Sequence, residues 1–183
     1  ATIDRLDHPN STLEEVMQFI KGPDFPTGAI LEGIDGIKSA YRTGRGKIIL
    51  KSKVTIEKNK IVIHEIPYEV NKALLVRKMD EIRIDKKIDG ILEVRDESDK
   101  DGLRIVVDLK KDANAENILN YFYKNTELQI SYNFNNVVIV NRRPMLLGIL
   151  GILDAYIAHQ KEVVTRRSEF DLRTAKARYH IVE

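Results

Sequence analysis

From Ile149 to Glu183 the chain has no proline and a single glycine, Gly151, and it is rich in residues that favour helix. Apolar side chains recur at helical spacing through Ile152, Leu153, Tyr156, Val163, Phe170 and Tyr179, so the stretch predicts one long helix or two in series. The last residues are still periodic and carry no stop signal. The helix is therefore expected to continue past Glu183 in a longer parent protein. This stretch splits the chain into an α+β domain over residues 1–148 and a helical arm over residues 149–183.

Strand and helix signals alternate before the arm. Ser11 and Thr12 are each followed three residues later by a glutamate, Glu14 and Glu15, and Leu13, Val16, Met17 and Ile20 then share one helical face. A short helix should end at Gly22-Pro23. A strand-like stretch, Ala29 to Leu31, precedes a second short helix carrying Ile34, Ile37 and Tyr41, which Gly44 and Gly46 break. Between Lys47 and Ile56, apolar Ile48, Leu50, Val54 and Ile56 fall on one side and Lys51, Lys53 and Thr55 on the other, as in a half-buried strand with a basic outer face. Lys58-Asn59-Lys60 leads into Ile61-Val62-Ile63, so a hairpin is expected, with Pro67 stopping its second strand. Asn71 can cap a helix bearing Leu74, Leu75, Met79 and Ile82, and strands Ile91 to Arg95 and Leu103 to Leu109 flank an acidic turn. Asn114 can cap a helix through Ile118, Leu119 and Phe122, and Leu128 to Val140 reads as strand. Pro144 marks the next connection.

The 183 residues, 43% hydrophobic and 32% charged, hold enough apolar material for one core, or for one core plus an appendage. No apolar run approaches the ~18–20 residues of a membrane span, and the first 21 residues lack the basic start and apolar centre of a secretion signal. A cytoplasmic protein with no membrane partner is expected. The absence of cysteine excludes disulfides, thiolate metal sites and a cysteine nucleophile.

The net charge of +2 conceals an uneven distribution. Up to Gly36, Asp4, Asp7, Glu14, Glu15, Asp24, Glu32 and Asp35 outnumber Arg5 and Lys21. From Arg42 to Lys60, by contrast, Arg42, Arg45, Lys47, Lys51, Lys53, Lys58 and Lys60 stand against Glu57 alone. This is the first candidate for meeting phosphate. The plainer reading makes Lys47, Lys51 and Lys53 the solvated face of a strand.

Two metal readings compete with simpler ones. Glu97, Asp99, Asp101 and Gly102, with Asp108 beyond, approximate a calcium-loop spacing, but the end ligands are of the wrong type and strands flank the loop where that motif needs helices. A tight acidic turn explains the same letters. His8, His64, His159 and His180 lack metal-ligand spacing, so no zinc site is expected.

Five runs carry a family resemblance: residues 22–28 (GPDFPTG), 40–46 (AYRTGRG), 65–72 (EIPYEVNK), 95–99 (RDESD) and 162–167 (EVVTRR). They resemble, in the same order, stretches of the A subunits of the bacterial type IIA topoisomerases, DNA gyrase and topoisomerase IV. The wording around residues 109–114, 123–126 and 158–161 is more similar to Gram-positive topoisomerase IV. The resemblance covers essentially the whole chain and implies a tower-like α+β domain, a mixed sheet with packed helices, followed by the start of a long coiled-coil arm.

It also implies a role: holding and bracing the gate DNA segment in an ATP-dependent enzyme that passes one duplex through another and serves chromosome segregation. The implied partners are the B subunit, duplex DNA and a second A subunit. No cofactor is expected in this piece; magnesium and ATP would enter through the B subunit. The family's nucleophilic tyrosine belongs to a winged-helix domain, and none of Tyr41, Tyr68, Tyr121, Tyr123, Tyr132, Tyr156 and Tyr179 stands in its motif. Each is read as a packing residue with a wet hydroxyl, so no catalytic residue is assigned and the piece should be inactive alone. The resemblance places the domain beside the DNA arms, which makes Arg42, Arg45, Lys47, Lys51 and Lys53 the DNA-binding candidates. Arg166 and Arg167 are added, although one can pair with Glu162 or Glu169. The alternative is a stand-alone nucleic-acid-binding or protein-interaction module with no enzyme behind it. The ordered motifs favour the first reading.

Overall fold

The computed structural model describes residues 1–182. In chain order the elements are α1 (Thr2–Asp7), α2 (Leu13–Val16), β1 (Ile30–Glu32), α3 (Ile34–Thr43), β2 (Arg45–Lys51), β3 (Lys53–Glu57), β4 (Lys60–Glu65), α4 (Lys72–Ile84), β5 (Ile91–Asp96), β6 (Ile105–Leu109), α5 (Ala115–Asn125), β7 (Gln129–Asn135), β8 (Val137–Val140), β9 (Arg143–Leu146) and α6 (Ile149–Val182). The α+β class expected from the sequence holds. The chain forms two compact units, one of Ala1–Gly22, Lys38–Gly46 and Phe134–Glu183, the other of Pro23–Ile37 and Lys47–Asn133.

The second unit is built on a four-stranded sheet in the order β3-β4-β6-β5, with antiparallel ladders throughout. Its two inner strands, reading Ile61-Val62-Ile63 and Ile105-Val106-Val107, are fully buried on successive residues, so both faces of the sheet are covered. One face packs with Leu75, Met79 and Ile82 of α4 and Ile118 and Phe122 of α5 in a single apolar cluster. The sequence supplies both helix starts: Asn71 Oδ1 accepts the Leu74 amide and Asn114 Oδ1 accepts the Asn117 amide, each at 3.1 Å. Such caps stabilise a helix by about 1 kcal/mol. The expected β3–β4 hairpin forms, with Asn59 at φ 59 in its turn.

The single strand expected from Lys47 to Ile56 is instead two strands in two sheets. β2 is the middle strand of β1-β2-β7, whereas β3 is an edge of the four-stranded sheet. Ser52, wholly buried between them, sends its amide to the Leu128 carbonyl at 2.9 Å, and a register shift follows between Lys53 and Val54. The alternation therefore holds for Ile48 and Leu50, both buried, and fails by Ile56, which is 43% exposed.

In the first unit, α6 is one unbroken helix of 34 residues, about 50 Å long at the standard rise. Leu153 is buried near its start, and every residue from Ala158 to Ile181 is exposed. Three local expectations need correcting. The helix expected to reach Ile20 keeps only Leu13–Val16, because Gln18 and Phe19 bond three residues back, to the Glu15 and Val16 carbonyls. Its capping box is the Thr12–Glu15 pair, and Ser11 is buried instead. Pro144 lies inside β9 opposite Ile139, tolerated because this is a two-stranded ladder with free edges. Helix α1 had no legible signal, since Ala1 offers no side-chain cap. Among the described residues no helix is long and apolar enough to cross a membrane.

Candidate nucleic-acid interface

The basic turn after α3 is fixed by its own side chains. Thr43 Oγ1 donates to the Ser39 carbonyl at 2.8 Å and accepts the Arg45 amide at 3.2 Å, while Ser39 Oγ donates to the Arg45 carbonyl at 3.0 Å. Gly44 takes φ 82, where a side chain would be strained, and a Cβ there would stand 2.8 Å from the Leu147 carbonyl oxygen. The Asn136 amide donates to the Gly44 carbonyl at 2.9 Å, and the Leu147 amide donates to the Asn136 carbonyl at 3.1 Å. Gly148 lies closer still: a Cβ on it would meet the Tyr41 and Arg42 carbonyl oxygens at 2.4 and 2.5 Å. The turn bearing Arg42 and Arg45 is thus seated on the entrance of α6.

The predicted bases divide into paired and unpaired groups. Arg42 reaches Glu14 at 3.6 Å with both side chains about two-thirds exposed, a geometry of little energetic weight. Arg45 and Lys47 are exposed and make no ion pair among the described residues. Along β2 the pleat sets Arg45, Lys47, Ile49 and Lys51 on one face and the buried Ile48 and Leu50 on the other. Lys51 is largely committed: its Nζ is 2.8 Å from Glu32 Oε1 on β1 and 5.4 Å from the centre of the Tyr123 ring. Burial and Glu32 push the Tyr123 phenol up, which keeps that ring neutral. Lys53 belongs to the other sheet and lies 3.6 Å from Glu65. On α6, Arg166 pairs with Glu162 at 2.6 Å, and Arg167 is exposed with no ion pair among the described residues.

Two of the recognised runs meet in the second unit. Glu65 Oε2 accepts the Ala29 amide at 2.7 Å, and Ala29 and Gly28 take φ 80 and 73. Phe25 packs on Tyr68 and edge-on to Tyr132, with ring centres 5.6 and 5.0 Å apart. The run at residues 95–99 closes the β5–β6 hairpin. Arg95 bridges Asp108, Glu93 and Glu97, which holds its guanidinium well above the usual arginine range. Arg95 and Arg104 hold the Glu97 carboxyl low, and Ser98, followed by Lys72, does the same for Asp96. Asp99 Oδ1 accepts the Asp101 amide at 2.8 Å. These carboxylates serve arginines and their own turn, the simpler of the two readings of this stretch. His8 lies 3.3 Å from Asp4, and His64 lies 3.0 Å from Thr55. Among the described residues no three His, Asp or Glu side chains could hold a metal ion.

Sequence reasoning missed the bidentate pair of Arg5 and Asp154, at 2.8 and 3.0 Å, with Arg5 also donating to the Ser11 carbonyl at 2.7 Å. The partners are 149 positions apart, and nothing local flags them.

A family model described as the A subunit of DNA gyrase/topoisomerase IV matches residues 1–183. The chain is 61% identical over 188 residues to the A subunit of DNA topoisomerase 4 from Bacillus subtilis (strain 168), covering 100% of this chain and 23% of that protein. It is 55% identical over 187 residues to the protein of the same name from Staphylococcus epidermidis, and 55% over 188 residues to that of Streptococcus pneumoniae serotype 4, again covering 100% of this chain and 23% of each relative. The chain therefore spans about a quarter of the length of the curated relatives it matches.

Proposed function

Because the chain belongs to the A-subunit family of DNA gyrase and topoisomerase IV, we propose that it holds and braces gate-segment duplex DNA in a cytoplasmic type II topoisomerase, of the topoisomerase IV branch. In that enzyme the A subunit works as a dimer with the B subunit. Magnesium and ATP serve the parent assembly. Double-strand passage belongs to the whole enzyme, and this piece contributes a rigid surface for phosphate.

The observation that carries the reading is the seat of the Arg42–Arg45 turn on the first residues of α6, through Gly44, Asn136, Leu147 and Gly148. A basic turn welded to the root of a long helix couples charge that meets phosphate to a lever. Of the bases on the turn and on β2 and β3, Arg45 and Lys47 are the two that make no ion pair among the described residues, so they lead the contact, and Arg167 is the candidate along the helix. Phosphate contacts of this kind position the duplex without reading its sequence.

The test is reconstitution of full-length A and B subunits with Arg45→Gln and Lys47→Gln combined. Plasmid decatenation should fall and DNA binding should become less sensitive to salt, while ATP hydrolysis without DNA stays as in the unsubstituted enzyme. Unchanged decatenation and unchanged DNA affinity across salt would overturn the assignment. The 183-residue chain alone, incubated with supercoiled plasmid, magnesium and ATP, should leave the plasmid untouched.

A further inference from the structure

The charges of the four-stranded sheet are unevenly shared between its two ends: the turn after β5 sets Glu97, Asp99 and Asp101 against Lys100 and Arg104, and the opposite end is richer in lysine. This turn lies at one end. At the other end stand the β3–β4 turn, the connection from α4 to β5, and the loop after β6. Backbone hydrogen bonds tie these loops together: the Leu109 amide donates to the Asn59 carbonyl at 2.9 Å, and the Lys110 amide donates to the Gly90 carbonyl at 2.8 Å. The Lys87 amide donates to the Ile82 carbonyl at the end of α4 at 3.1 Å.

These loops carry Lys58, Lys60, Lys86, Lys87, Lys110 and Lys111, all exposed. Lys110 pairs with Asp89 at 2.8 Å, and the other five make no ion pair among the described residues. The remaining acids on the same loops are Glu57, Asp85 and Asp112. The Asp89 carboxyl is held low by the Lys110 hydrogen bond first and by the Gly90 amide next, with the charges of Lys110 and Lys86 adding to it. Nearby, Arg83 is matched by Asp80, and Asp108 by Arg95.

We infer that this lysine end of the sheet is a second contact for the phosphate backbone of duplex DNA, separate from the Arg45 and Lys47 face of β2. The inference rests on the proposed DNA-binding role. Its chemistry favours DNA over an acidic protein partner. Protein interfaces are depleted of lysine and enriched in arginine and aromatic residues, whereas these loops bear lysines and neither of those. Lysines on flexible stems suit a uniform line of phosphates, which they meet as point charges. The three tied loops hold those stems side by side, so several can meet one backbone without ordering the chain.

The experiment measures affinity of the 183-residue chain for two unrelated duplexes of about 30 base pairs across a salt series, with polyglutamate as a competing probe. One variant carries Lys58, Lys60, Lys86, Lys87 and Lys111 changed to Gln, a milder one only Lys58→Gln and Lys60→Gln, and a third Arg45→Gln with Lys47→Gln. Circular dichroism and thermal melting check folding of each. Each phosphate contact contributes about 0.9 to the salt slope, so with about half of these lysines on phosphate the five-lysine variant should lose roughly 2 units of slope and the two-lysine variant about 1, equally on both duplexes. If the lysine variants match the parent while the Arg45 and Lys47 variant loses slope, the inference fails and the DNA-binding proposal stands. If the parent chain shows no salt-dependent DNA binding, both fail. If the lysine variants lose only polyglutamate binding, the surface serves an acidic protein and the inference is overturned.

Discussion

Glu65 and Gly28 fit only as a pair: a Cβ on Gly28 would stand 2.2 Å from Glu65 Oε2, the atom that accepts the neighbouring Ala29 amide at 2.7 Å. Two of the recognised runs of this sequence, 36 positions apart at this bond, thus form one joint. Glu65→Ala leaves a partly buried amide without its charged acceptor, a loss of about 1–3 kcal/mol. Gly28→Ala adds a side chain where φ is positive and the carboxylate is in the way, so it should be at least as damaging. Urea unfolding of both variants checks this, with Glu65→Gln expected to fall between Glu65→Ala and the parent.

Gly148 and Gly151 stand three residues apart and should respond oppositely to alanine. A Cβ at Gly148 would run into the Tyr41 and Arg42 carbonyl oxygens, which belong to backbone and cannot swing away. Gly148→Ala should cost roughly 1–3 kcal/mol, as overpacking does. At Gly151 the nearest atoms are the Leu147 side chain at 3.3 Å, and helix propensity favours alanine by about 1 kcal/mol. Thermal melts should therefore shift down for the first variant and up for the second.

Acid should release the link between α1 and α6. The Arg5 hydrogen bond holds the Asp154 carboxyl below its ordinary value of 3.8, and the same bond raises Arg5. For a carboxyl lowered in the folded state, the stabilisation is fully present above the unfolded value and is lost as pH falls through the folded one. Asp154→Asn should therefore melt below the parent at neutral pH, and the gap should close only below about pH 4. A gap that closed between pH 6 and 7 would count against the pair as its source.

What is legible in the sequence follows the range of the forces involved. Caps act within three residues, so Asn71, Asn114 and Thr12 are readable, as is the β3–β4 turn at Asn59. Buried strands such as Ile61-Val62-Ile63 announce themselves by unbroken apolar runs. The change of sheet at Ser52 is hidden because its amide bonds to Leu128, far along the chain, while the local alternation runs on without a break. For the same reason the sequence groups Lys47, Lys51 and Lys53 as one basic face, although the fold gives Lys51 to Glu32 and places Lys53 in another sheet. The lysines of the three tied loops are spread over residues 58–111, and only tertiary structure brings them together.

Lys47 and Lys51 share a face of β2 and have the same charge, yet they should contribute unequally to DNA binding. Lys51 already has Glu32 at 2.8 Å and the Tyr123 ring beneath it, and its side chain is 27% exposed. Reaching a phosphate would require it to give up both, so the gain from a new contact is offset by the old ones. Lys47 has no such competitor among the described residues. Lys47→Gln should lower the salt slope of duplex binding by about 0.9, the value of one phosphate contact, while Lys51→Gln should leave it nearly unchanged. Glu32→Gln frees the Lys51 ammonium and removes a negative charge from the face, so it should tighten binding at low salt and steepen the slope. Fluorescence anisotropy across a salt series distinguishes the three. Equal losses from Lys47→Gln and Lys51→Gln would mean that the Glu32 pair opens at no cost when DNA arrives.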